Sequence, residues 1–149
     1  LKYSYVYGDK TTQDYTPLNV GFGITYSLPI IVSILKAKIG DLVIIENPES
    51  HLHPRAQSRL ATLFALASSI GIQLIIETHS DHILNGIQKE KKKGLINSEQ
   101  IKIYYLSKEE NKLETKIDSL TIDKDGKINE NWPKGFFDEY ENLLDELLW

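Results

Sequence analysis

One pattern, used twice, constrains this chain most: a short apolar run ends in a carboxylate and a polar cluster, and a stretch of helical periodicity follows. The runs are Asp41–Glu46 and Ile72–Thr78. After the first, Leu60, Leu63, Phe64, Leu66 and Ala67 fall at helical spacing, with Pro54 suited to the first helical position and Gly71 to the position past the end. After the second, Ser80 suits the cap of a helix over Asp81–Lys93, stopped before Gly94. Strands joined by a crossover helix of this length are most simply parallel neighbours with a right-handed connection. The expected fold class for residues 1–106 is therefore α/β, a layered and mainly parallel sheet with flanking helices. The unbroken apolar character of 41–46 predicts a strand buried on both faces.

The flanking segments read more simply. Tyr3, Tyr5 and Tyr7 alternate with Lys2, Ser4 and Val6, predicting a short strand before a turn at Gly8-Asp9. Ile24–Lys38 predicts a helix starting near Thr25, with Pro29 close to its first turn. Residues 107–149 read as an extension packed on the same domain. Ile101–Leu106, Leu113–Ile122 and Asp125-Gly126 signal a strand and a small hairpin, and Phe136, Phe137, Tyr140, Leu143, Leu144, Leu147 and Leu148 form an amphipathic stripe expected to close one side.

Composition narrows the class. Of 149 residues, 41% are hydrophobic, enough for one core, and mean hydropathy is −0.29. Apolar runs are far shorter than the roughly 20 residues that span a bilayer, and the chain has no cysteine, so cytoplasm is the expected compartment. With no methionine and Leu1 at its start, the chain is expected to be a piece of a longer protein. Residues 1–106 carry 11 basic and 9 acidic groups, residues 107–149 carry 6 and 12, which argues against the C-terminal part as a nucleic-acid surface.

The polar clusters are Glu46-Asn47-Pro48-Glu49-Ser50-His51-Leu52-His53 and Glu77-Thr78-His79-Ser80-Asp81-His82. In an open parallel sheet, ligands bind at the carboxyl ends of adjacent strands, so the two clusters are expected side by side. Capping accounts for Ser80 but not for so many carboxylates, histidines and an asparagine. A carboxylate ending a buried strand is placed to orient Mg²⁺ and its waters, which suits Glu46. Asn47 would face an attacking water, and His79 would donate to a γ-phosphate oxygen.

These residues resemble the ABC-type ATPases, and within them the bacterial group related to the SMC proteins and the overcoming-lysogenization-defect nucleases. The resemblance implies that Leu42–Glu46 is a Walker B strand, that Glu49, Ser50, His51 and His53 lie in the D-loop, and that His79 is the switch histidine. It puts Asn19, Gly21, Gly23 and Thr25 in the signature motif, which presents a helix start to the γ-phosphate held by the opposite subunit. Together with Trp132-Pro133-Lys134-Gly135-Phe136-Phe137-Asp138, these motifs look like one bacterial AAA/ABC ATPase subfamily. The implied cofactors are ATP and Mg²⁺, with Glu46 reaching the metal through water. The implied partners are an N-terminal ATPase lobe and a second copy, joined by a nucleotide sandwich, with DNA or an effector protein beyond.

The sequence departs from that pattern in three places. Asn47 stands where the family usually has glutamate; it orients water but takes no proton, which predicts slow hydrolysis, with Glu49 or His79 as substitute bases. The signature serine is replaced by Gly21, with Asn19 or Thr25 as the substitute polar contact, although Thr25 reads equally as a helix N-cap. The phosphate cradle Gly-x-x-x-x-Gly-Lys-[Ser/Thr] occurs nowhere, so this chain alone is expected to bind ATP poorly, with the cradle supplied from upstream of Leu1. Two alternatives stand beside the ATPase: a divalent-metal phosphodiesterase using His51, His53, His79 and His82 with Glu46, Glu49 and Asp81, and a nucleotide-gated interaction module with little turnover.

Overall fold

The computed structural model describes residues 2–108, 113–128 and 135–148. Its elements run β1 (Val6–Tyr7), β2 (Lys10–Thr11), α1 (Phe22–Lys36), β3 (Leu42–Glu46), α2 (Pro54–Ser69), β4 (Gln73–Glu77), α3 (Asp81–Lys92), β5 (Ile103–Lys108), β6 (Thr115–Leu120) and α4 (Glu139–Leu148). Short 3₁₀ turns at Pro17–Asn19 and Ser98–Gln100 precede α1 and β5.

Local chemistry explains the central elements. Pro54 occupies the first position of α2, where its missing N–H costs nothing, and Gly71 just past the end takes φ 91°. The Ser80 hydroxyl accepts from the Ile83 amide at 3.2 Å and opens α3. β3 and β4 pair in parallel from Leu42↔Gln73 to Glu46↔Glu77. Ile45 of β3 packs with Leu60, Ala61 and Phe64 of α2, Ile83 of α3 and Ile34 of α1. Helices α2 and α3 approach so closely that a Cβ on Gly86 would lie 2.5 Å from the Ala61 methyl, which only glycine avoids.

Several expectations are corrected. β3 is not buried on both faces: Ile45 is 5% exposed, but Ile44 is 65% and its neighbour Ile75 51%. The reason is that the helices cover one side of a two-stranded sheet and nothing among the described residues covers the other. Nor is a layered parallel sheet seen among the described residues. The described strands make three separate two-stranded sheets, parallel β3–β4 and antiparallel β1–β2 and β5–β6. β5 takes its sequence neighbour β6, in register from Ile103↔Leu120 to Lys108↔Thr115, because a hairpin closes over a short loop.

α1 starts at Phe22, three residues before Thr25, and carries Pro29 inside it. Gly21 is its N-cap, so Thr25 is not; the Thr25 hydroxyl instead donates to the Pro17 carbonyl at 3.5 Å. The described leucines of the α4 stripe are not buried: Leu147 and Leu148 are 80% and 71% exposed, and Leu143 and Leu144 are exposed too. Phe136, 5% exposed, does pack, with its ring 5.1 Å from Tyr105, and it joins Leu84 and Leu120 in a second, smaller core. Trp132 and Pro133 lie outside the described residues. Among the described residues, no helix is long and apolar enough to cross a membrane.

A buried charge ties α2 to α3. Glu90, 3% exposed, accepts from Thr62 at 2.9 Å and from Lys89 and Lys93 at 3.0 and 3.2 Å. Burial pushes its pKa up, but the bonds from Lys89, Thr62 and Lys93 outweigh that and hold the carboxyl below its ordinary value.

Candidate functional site

Register assembles the site. Glu46 and Glu77 are Cα partners in parallel strands, so their side chains leave the same face, and both are exposed. Glu77 Oε1 lies 3.1 Å from His79 Nε2, and Glu77 Oε2 accepts from the Asn47 amide at 3.2 Å. That amide also donates to the Glu77 carbonyl at 3.1 Å, continuing the ladder past the end of β3. Glu46, Asn47 and His79 thus meet at one edge through Glu77, and the Glu46 carboxylate has no partner among the described residues.

The loop after β3 is anchored at both ends. Asn47 and His51 sit at φ 45° and 60°, left-handed values that asparagine and histidine adopt more readily than most residues. Both Glu49 oxygens are engaged at 2.7 Å, one by the Thr78 hydroxyl and one by the His79 amide. Thr78 Oγ1 accepts in turn from the Ser80 amide, and the Ser80 hydroxyl donates to Gln57. Ser50 is half-buried and its amide closes a turn onto the Asn47 carbonyl.

The start of α1 packs on this loop. A Cβ on Gly23 would fall 2.8 Å from the His51 carbonyl oxygen, so the approach needs glycine there. The Phe22 and Tyr26 rings lie 5.5 and 4.7 Å from the His51 ring. Gly21 caps the helix and Asn19 ends the preceding 3₁₀ turn, exposed. Of Asn19, Gly21, Gly23 and Thr25, Gly23 is the one shown against the 47–53 loop of the same chain, while Thr25 bonds back to Pro17.

The histidines do not converge. His51 lies against aromatic rings, His53 Nδ1 accepts from the Arg55 amide at 3.2 Å, and His82 faces Asp81 at 3.7 Å. Among the described residues, no group of three His, Asp or Glu side chains could hold a metal ion, which removes the ligand set of the phosphodiesterase alternative. A cavity of about 420 Å³ lies at the other end of β3, lined by Ser33, Lys36, Asp41 and Leu42, away from this edge.

Residues 3–85, more than half of the chain, match the family model described as "AAA domain, putative AbiEii toxin, Type IV TA system". The chain belongs to this AAA domain family. Membership makes it an ATPase-like, nucleotide-using domain, and the matched span holds Glu46, Asn47 and His79. Residues 96–147 of the AAA protein are similar to a family described as "Protein of unknown function (DUF3696)". No curated protein matches the chain, and no solved structure does.

Glu77 carries a part that the sequence reading gave to no residue. The signal is present: Ile-Ile-Glu occurs at 44–46 and again at 75–77. Only the register turns that repeat into two carboxylates on one face.

Proposed function

We propose that this AAA domain supplies half of an ATP-hydrolysing site, with slow turnover, and that the other half comes from a Walker A lobe outside this sequence. The observation that carries the reading is the parallel register, which puts Glu46 beside Glu77 and, through it, beside Asn47 and His79. Magnesium ions are held by one or two carboxylates and the substrate's phosphates rather than by a protein cage, and a free, exposed carboxylate at a strand end suits that mode. Glu46 would hold Mg²⁺, which would neutralise charge on the β- and γ-phosphates. Asn47 orients the attacking water, and with no proton acceptor on its amide the step is slow. His79, with its side chain 82% exposed, is free to meet a phosphate oxygen.

The uncovered face of β3–β4 supports a second lobe. Parallel sheets need both faces covered, and Ile44 and Ile75 lie open on the face that carries Glu46 and Glu77. A homodimer around nucleotide follows from the same reading, with the α1 start offered to the opposite copy; an effector protein or DNA acts downstream of closure. In the intact protein, Glu46→Gln and His79→Ala are each expected to lower ATP turnover about 100-fold. Calorimetric titration of the 149-residue chain with ATP is expected to show no micromolar binding. Micromolar affinity, or turnover untouched by both substitutions, overturns the reading.

A further inference from the structure

We infer that Glu49 is a positioning residue, which seats the main chain at His79, and is not the base that Asn47 fails to provide; the inference rests on the ATPase reading above. Between β4 and α3 stand Thr78, His79 and Ser80, and Glu49 reaches the first two from the loop after β3. One of its oxygens accepts from the Thr78 hydroxyl and the other from the His79 amide, both at 2.7 Å. Hydrogen bonds to an ionised acceptor are short and about twice as strong as neutral ones, and these lengths fit that class. The His79 amide has no other acceptor among the described residues. Glu49 is also half-buried, whereas Glu46 and Glu77 are exposed.

The same bonds set Glu49 apart from proton transfer. A general base needs an oxygen within reach of the water it deprotonates. Here each oxygen is turned to a donor of this chain, and one of those donors is a backbone amide that cannot rotate away. Gln57 ties the same two loops from α2: its amide donates to the Leu52 carbonyl at 2.8 Å, and its oxygen accepts from the Ser80 hydroxyl at 2.5 Å. The Ser80 amide donates to Thr78 Oγ1 at 3.1 Å, so these bonds run unbroken from Leu52 to Glu49. His79 is therefore seated through its main chain, with its exposed ring left to face substrate. A small misplacement of such a group is costly to turnover.

The test measures ATP turnover of the intact protein together with hydrogen exchange at residues 78–80. Glu49→Gln keeps the reach and loses the basic oxygen: its carbonyl accepts from the His79 amide, and its NH₂ donates to Thr78 Oγ1. It is expected to stay within about threefold of wild-type kcat, where loss of a general base costs about 100-fold or more. Glu49→Asp keeps the acid but is one methylene too short to span both donors. Like Glu49→Ala, it is expected to lower kcat about tenfold with KM within about twofold, and to speed exchange at 78–80. The double variant Glu49→Ala/His79→Ala is expected to be no slower than His79→Ala alone, because Glu49 acts through His79. A Glu49→Gln variant slowed about 100-fold makes Glu49 the base and overturns the inference. So do wild-type kcat in both Glu49→Ala and Glu49→Asp, or additive losses in the double variant. In each of these cases a slow His79→Ala leaves the ATPase reading standing. Wild-type turnover in both His79→Ala and Glu46→Gln overturns the ATPase reading, and the inference falls with it.

Discussion

The two faces of the β3–β4 pair are built from the same kinds of residue and meet opposite surroundings. On one face Val43, Ile45, Leu74 and Ile76 pack into a core with Leu60, Phe64 and Ile83. On the other, Leu42, Ile44 and Ile75 are half to two-thirds exposed, and Glu46 and Glu77 share their side. Strands apolar on both sides call for two covers, and the described residues provide one. The face that carries Glu46 and Glu77 is the bare one, so under the proposed reading the lobe that covers it also completes the site.

The contrast breaks first at its strongest point. Phe64, 1% exposed, anchors the covered face, and Phe64→Ala is expected to cost about 3–5 kcal/mol in urea unfolding of the chain. A loss below about 1 kcal/mol would mean that this face is not the stabilising one. A smaller effect depends on pH. Glu90 titrates below its ordinary value when folded, so its contribution is complete above the unfolded carboxylate pKa of about 4.3 and is lost as pH falls through the lower folded one. Glu90→Gln is expected to make stability fall less steeply below about pH 4, read from unfolding midpoints across pH. The smallest effect sharpens the comparison from the bare side. Ile44→Ser is expected to change the stability of the chain by less than about 0.5 kcal/mol and, if the proposed second lobe covers this face, to lower the unfolding temperature of the assembled protein.

Much of the body was legible because its signals are local. Pro54, Gly71, Ser80 and Gly94 punctuate α2, β4 and α3, and their ends fall within about a residue of those the periodicity predicts. What failed was non-local. Alternation cannot say which strand β5 will choose, and an apolar stripe such as Leu143–Leu148 says what a helix is able to bury without saying that a partner is present. Local pattern also set the start of α1 too late, because Gly21 offers no side-chain cap to read. At the site, Glu46, Asn47 and His79 stand out by residue type and position. Glu77 does not, because its meaning depends on a pairing that sequence does not print.

Asn47 carries one more implication. Its backbone sits at φ 45° immediately before a fully buried proline, a place where few residue types rest without strain. Asparagine is among the few that do, and glutamate is not. The amide is therefore favoured by a torsion angle independently of the role proposed for it, and a substitution to glutamate there must first rebuild the bend. Under the proposed reading, pace of reaction and shape of main chain are inherited together.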